Sequence, residues 1–164
     1  MKKIRVMVND ILQQVGSTTV RNVIRKGYLE LVPVSITHFA GSQGQTNMLV
    51  DQQKICLVEP SENINQVIKN YGRPDIVVDI NPKSVFWEAI PELLTINTSF
   101  ILFVQGNLKK EVKIIKRRIK SLRVNILLFT EMPSEEEVIE GIDFLRRKQL
   151  AHDFGRVFSA EVAQ

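Results

Sequence analysis

The stretch richest in chemical content lies near the N-terminus. Lys3-Ile4-Arg5-Val6-Met7-Val8 reads as a strand and runs directly into Asn9-Asp10-Ile11-Leu12-Gln13-Gln14-Val15-Gly16. Where a parallel α/β sheet passes through a short loop into a helix, that helix N-terminus can hold a diphosphate. Glycines in the loop let backbone amides approach the phosphates. Here Gly16 is the one glycine, with Asn9, Asp10 and Gln13 at the neighbouring positions. Ile11 and Leu12 add bulk, and Asp10 sets a carboxylate where a diphosphate would lie. A like charge there weakens binding by about 1 kcal/mol or more, depending on exposure. The competing reading is a structural turn with no ligand.

Three further strand exits carry polar residues. His38 follows the second predicted strand, where ribose contacts sit in dinucleotide sites, but it has no companion Arg, and no acid ends that strand to hold a ribose hydroxyl. Asp79 and Asn81 end an apolar run, Asp75 to Ile80. Asp79 reads either as a carboxylate facing a pocket or as an acceptor for nearby loop amides. Gln105-Gly106 ends another run, Ser99 to Val104. Cys56 lies between Ile55 and Leu57 with no base paired to it in sequence, and reads as an inert buried thiol.

Composition excludes several classes. The chain has 164 residues, 44% hydrophobic and 24% charged, which fits one globular domain and not a disordered or fibrous chain. One cysteine and two distant histidines leave no internal disulfide and make a metal enzyme a poor fit. No apolar run approaches the roughly 20 residues of a membrane helix. The apolar run after the basic N-terminus breaks at Asn9-Asp10, too early for a signal peptide. The expectation is a cytoplasmic protein.

The net charge of +4 is local: residues 109–123 hold eight Lys or Arg against Glu111, a net +7 that leaves the remainder at −3. Segment 107–122 reads as a helix with Leu108, Val112, Ile115, Ile119 and Leu122 on one stripe. Its Lys and Arg form either a solvated face or a dock for an acidic partner. The segment lacks interleaved aromatics for base stacking, so nucleic acid is not expected. Phe86 and Trp87 divide between core and an interface, and a homo-oligomer or a protein partner is expected.

The remaining elements follow in order. Helical spacing runs from Ser17 to Gly27, and Leu29 to Ile36 reads as a strand. After the Gly41–Gln45 loop, Asn47–Val50 and Lys54–Val58 suggest a hairpin around Asp51-Gln52. A helix runs from Pro60 to Tyr71, with Ser61 as cap and Gly72 as stop, and a second spans Lys83–Leu94, kinked at Pro91. Val124–Phe129 is a strand. Ser134 followed by three glutamates opens a helix, and Gly155-Arg156-Val157-Phe158 reads as a last short strand. Alternating strands and helices predict a Rossmann-like, doubly wound α/β fold with a mostly parallel sheet and helices on both faces.

Several stretches resemble the nucleotide-binding domain of dihydrodipicolinate reductase (4-hydroxy-tetrahydrodipicolinate reductase), an NAD(P)H-dependent family of lysine biosynthesis. These are Val6-Met7-Val8-Asn9, Leu31-Val32-Pro33-Val34-Ser35, Gly44-Gln45-Thr46, Ile76-Val77-Val78-Asp79-Ile80-Asn81-Pro82, Phe100 to Gly106, and Gly141-Ile142 with Gly155-Arg156-Val157-Phe158. The resemblance implies one Rossmann-like domain over 1–164, with 134–164 as the family's C-terminal return segment. It implies NAD(P)(H) contacts at Asn9, Asp10, Gln13, Gly16, His38, Asp79, Asn81 and Gly106.

The departures bear on activity. Asp10 and Gln13 replace glycines of the family's first loop, and Phe103-Val104-Gln105-Gly106 keeps one residue of its Gly-Thr-Thr-Gly loop. Between Pro133 and Ser134 the family inserts its catalytic domain, which carries a His-His pair, a Lys and a Gly-Thr substrate loop. Here the chain passes straight on, and no His-His pair occurs. No catalytic residue is assigned. The expected function is a reductase-like pseudoenzyme that binds a protein or regulates one. One alternative is an NAD(P)(H)-binding or sensing domain related to lysine biosynthesis reductases. The other is a CoA-type ligand-binding Rossmann domain, because the CoA-binding domains of acyl-CoA ligases share the Gly-Gln-Thr loop. An active reductase would need a separate subunit to supply the missing half.

Overall fold

Strand β1 (Ile4–Val8) sits inside a six-stranded sheet because every residue from Val6 to Val8 is apolar and buried on both faces. It pairs in parallel with β2 (Leu29–Leu31) on one side and β6 (Ile76–Asp79) on the other. β7 (Ser99–Phe103), β8 (Asn125–Phe129) and β9 (Arg156–Ser159) follow, all parallel, in the order β2-β1-β6-β7-β8-β9. The computed structural model describes residues 2–37, 46–59, 64–81, 97–106 and 109–159. The loop around Gly44, the Ser61 cap, the helix read over 83–94 with Phe86 and Trp87, and His38 lie outside the described residues.

The run read as one strand from Leu29 to Ile36 is two. Pro33 has no N–H to give a ladder, so the chain changes sheets there. The Val32 amide still bonds the Val6 carbonyl at 2.8 Å, while the Pro33 carbonyl accepts from Cys56 N at 3.0 Å. Beyond it, β3 (Val34–Ile36) runs parallel to β5 (Gln53–Val58), which pairs antiparallel with β4 (Thr46–Val50) in a second, three-stranded sheet. The β4–β5 hairpin forms around Asp51-Gln52 as expected, with both residues at positive φ (47° and 67°), the geometry of a two-residue type I′ turn. Arg25 and Arg21 of helix α1 (Gln14–Arg25) hold the Asp51 carboxylate at 3.1 and 3.7 Å and pin the hairpin to that helix.

Helices cover both faces of the large sheet. Val20 and Val23 of α1, and Val138, Ile142 and Leu145 of the last helix α4 (Glu135–Leu150), pack with Val6, Val8, Ile76, Val78, Ile101 and Leu127. Val67 and Ile68 of α2 (Ile64–Tyr71) and Ile115 and Ile119 of α3 (Lys109–Ile119) join the opposite face with Met7, Val77, Phe100, Leu102 and Ile126. The two sets alternate along each strand, as a sheet buried on both sides requires. Ser134 caps α4 by accepting the Glu137 amide at 3.2 Å. Gly141 lets α4 approach the sheet, since a Cβ there would stand 2.8 Å from the Leu127 side chain. α3 is shorter than the stripe over 107–122: Leu122 falls past its end.

Candidate functional site

The carboxyl ends of β1, β3 and β6 converge on a buried polar cluster. Asn9 is fully buried and ties the three strands together. Its amide N–H donates to the Val78 carbonyl at 2.9 Å. Its side-chain oxygen accepts the Ile36 amide at 3.0 Å, and its Nδ2 donates to Asp79 Oδ2 at 3.3 Å. The other Asp79 oxygen accepts the Asn81 amide at 3.4 Å, so Asp79 serves nearby loop amides. Ser35 and Thr37, both buried, share a hydroxyl hydrogen bond of 2.8 Å. Asp10 completes the cluster, with its amide donating to the Ile36 carbonyl at 3.1 Å.

Asp10 takes a left-handed conformation (φ 54°) and is 6% exposed. Its chain turns sharply enough for its carbonyl to accept the Gln13 amide at 3.0 Å. Ile11 is 1% exposed and packs in the core with Val50, Ile55 and Leu57, while Leu12 points outward. Helix α1 begins at Gln14, three residues before the predicted Ser17, because the Gln13 carbonyl already accepts the Ser17 amide. Gln13 caps it without a side-chain hydrogen bond, which left its start with no cap signal in the sequence. Gly16 therefore lies inside the first helical turn, where a Cβ would stand 2.5 Å from the Asp10 carbonyl oxygen.

Of the positions singled out in the sequence, Asn9, Asp10, Asp79 and Asn81 are joined by hydrogen bonds, directly or through Ile36, and Gln13 and Gly16 meet them through Asp10. Gly106 is exposed at the exit of β7 with φ 94° and borders a separate cavity against α3. Ser35 and Thr37 were not foreseen, although two hydroxyls alternating with Ile36 in a buried strand were the signal for them. Among the described residues, no group of three or more His, Cys, Asp or Glu is placed to hold a metal. No described helix is long and apolar enough to cross a membrane.

The turn that a diphosphate would approach is occupied as follows: Asp10 is buried there in a left-handed conformation, Gly16 packs closely on the Asp10 carbonyl, and Ile11 lies in the core.

Away from these exits, Cys56 is buried beside Tyr71. Hydrogen bonding with the thiol, then burial, pushes the Tyr71 phenol above its ordinary value of 10.0.

No protein-family model matches the chain. No curated protein matches it by sequence. Its fold is similar to a solved structure of dipicolinate-bound dihydrodipicolinate reductase from Paenisporosarcina sp. TG-14, at TM-score 0.61 and 15% identity, over 91% of this chain and 53% of that one. The chain thus spans about half the length of that reductase. At this identity the likeness is one of fold: the chain is a Rossmann-like α/β protein with a parallel six-stranded sheet.

Proposed function

We propose that this chain is a dihydrodipicolinate reductase-like protein that performs no reduction and works as a protein-binding or regulatory module. In this reading 1–164 is one Rossmann-like unit, and 134–164 is its return segment. The observation that carries it is the β1–α1 turn, where a buried Asp10 and Gln13 stand at positions that glycines hold in a dinucleotide loop. The short passage from β8 to α4 supports it as well, since five residues separate them where the reductase family inserts its catalytic domain. Leu12 and Met132, 48% and 54% exposed, offer apolar contact for a partner at the carboxyl edge of the sheet.

The test is titration of the purified protein with NADH and NADPH, followed by nucleotide fluorescence and calorimetry. The expected result is no saturation up to millimolar nucleotide. Micromolar binding would replace this reading with that of an NAD(P)(H)-binding or sensing domain. Gly106, at positive φ with open space around it, is the feature that favours that second reading.

A further inference from the structure

A cavity of about 420 Å³ opens beyond the carboxyl ends of β7 and β8, against α3. Val104, Val112 and Leu128 supply its apolar surface. Lys109, Lys113 and Lys116 supply charge, and Gly106 and Thr130 complete the lining. The three lysines recur at helical spacing, so they share one face of α3 and extend over about 10 Å of its axis. Among the described residues no acid lines the cavity: Glu111, the acid of the first turn, is exposed elsewhere on the helix. Among the described residues, neither Lys113 nor Lys116 lies within ion-pair distance of a carboxylate. The two strand exits are held together by the Val104 amide, which bonds the Phe129 carbonyl at 2.9 Å. At Gly106, in a left-handed turn, a Cβ would meet no described heavy atom within 4 Å beyond its chain neighbours.

We propose that this cavity binds a small organic anion, an apolar body ending in a phosphate or carboxylate. Its volume falls within the roughly 300–1,000 Å³ typical of small-molecule sites. Its place beyond strand carboxyl ends is where open parallel sheets take ligands. Val104, Val112 and Leu128 give the cavity an apolar wall beside the three ammonium groups, so an apolar body and its anionic end meet matching surfaces together. Lysine suits a terminal phosphate as a point charge. The site shares no residue with the Asn9–Asp79 cluster, and Gly106 is its one overlap with the dinucleotide positions; its affinity rests on the lysines of α3 and not on the β1–α1 loop.

The test is an amide chemical-shift titration of ¹⁵N-labelled protein with four probes: octyl phosphate and octanoate below their micelle thresholds, octylamine, and hexaglutamate. Saturable shifts are expected from the two octyl anions at 104–106, 112–116 and 128–130, and none from octylamine. The K113E/K116E variant should weaken octyl phosphate by about tenfold or more. The K110E/R117E variant changes net charge equally on residues outside the cavity lining, and should hold affinity within about twofold. All four positions are exposed, so the fold of both variants is checked by circular dichroism. Equal weakening in the two variants, matching shifts from octylamine, shifts from hexaglutamate alone, or no shifts at all would each overturn the proposal. Hexaglutamate alone would mark a dock for an acidic protein instead.

Discussion

A Cβ on Gly16 would stand 2.5 Å from the carbonyl oxygen of Asp10. That approach packs the first turn of α1 on the loop that follows β1. The Asp10 carbonyl also accepts the Gln13 amide, so it cannot swing aside without breaking the turn. Gly16→Ala is therefore expected to destabilise the protein by about 1–3 kcal/mol, as overpacking against backbone does. Gly141→Ala makes a contrast, because its new methyl meets the flexible Leu127 side chain and costs less. Urea denaturation of the two variants side by side checks the order.

Asn9 is the joint of the polar cluster. Asn9→Ala leaves the buried Ile36 amide without its acceptor and takes one donor from Asp79. The expected loss is about 2–3 kcal/mol. Amide hydrogen exchange should locate the loosening at the ends of β1, β3 and β6. A loss spread evenly over the sheet would contradict the joint.

Tyr71 predicts a pH dependence. Its phenol is raised above 10.0 by the Cys56 thiol and by burial, so the folded chain holds that proton more tightly than the unfolded one. The stabilisation is complete below the unfolded value and is lost as pH rises through the folded one. Stability of the native chain relative to Tyr71→Phe should therefore be flat below the ordinary value of 10.0 and fall as pH rises above it. Denaturant midpoints across that range measure it.

Ser134→Ala removes the acceptor for the Glu137 amide and is expected to cost about 1 kcal/mol. Ser134→Asp should recover most of it, because a carboxylate also caps and favours the positive end of α4. Thermal midpoints of the two variants give the comparison.

Much of the fold was legible in the sequence because its signals are local. The runs at 76–78 and 100–103 are continuous and apolar, the composition of a strand covered on both faces. The Asp51-Gln52 turn and the Ser134 cap lie within a few residues of what they organise. Pro33 was less readable: an apolar run with one proline fits an edge strand as well as a break, and the partner that decides, Cys56, is 23 residues away. The candidate site was legible as a set of positions and not as an arrangement. Gly16 stands at the loop as expected, yet it serves helix packing. Asn9 gains its meaning from Ile36 and Asp79, separated from it by 27 and 70 residues. The cavity beside α3 joins residues of one helix to two strand exits that no sequence spacing connects.

If the turn from Asn9 to Gly16 takes no diphosphate, as proposed, its backbone amides report that directly. The most direct measurement follows the Asp10, Gln14, Val15 and Gly16 amide resonances of ¹⁵N-labelled protein as NADPH is added to millimolar concentration. These resonances are expected to stay in place. Saturable movement of Gly16 and Asp10 would contradict it, and would return the protein to the dinucleotide-binding members of its fold.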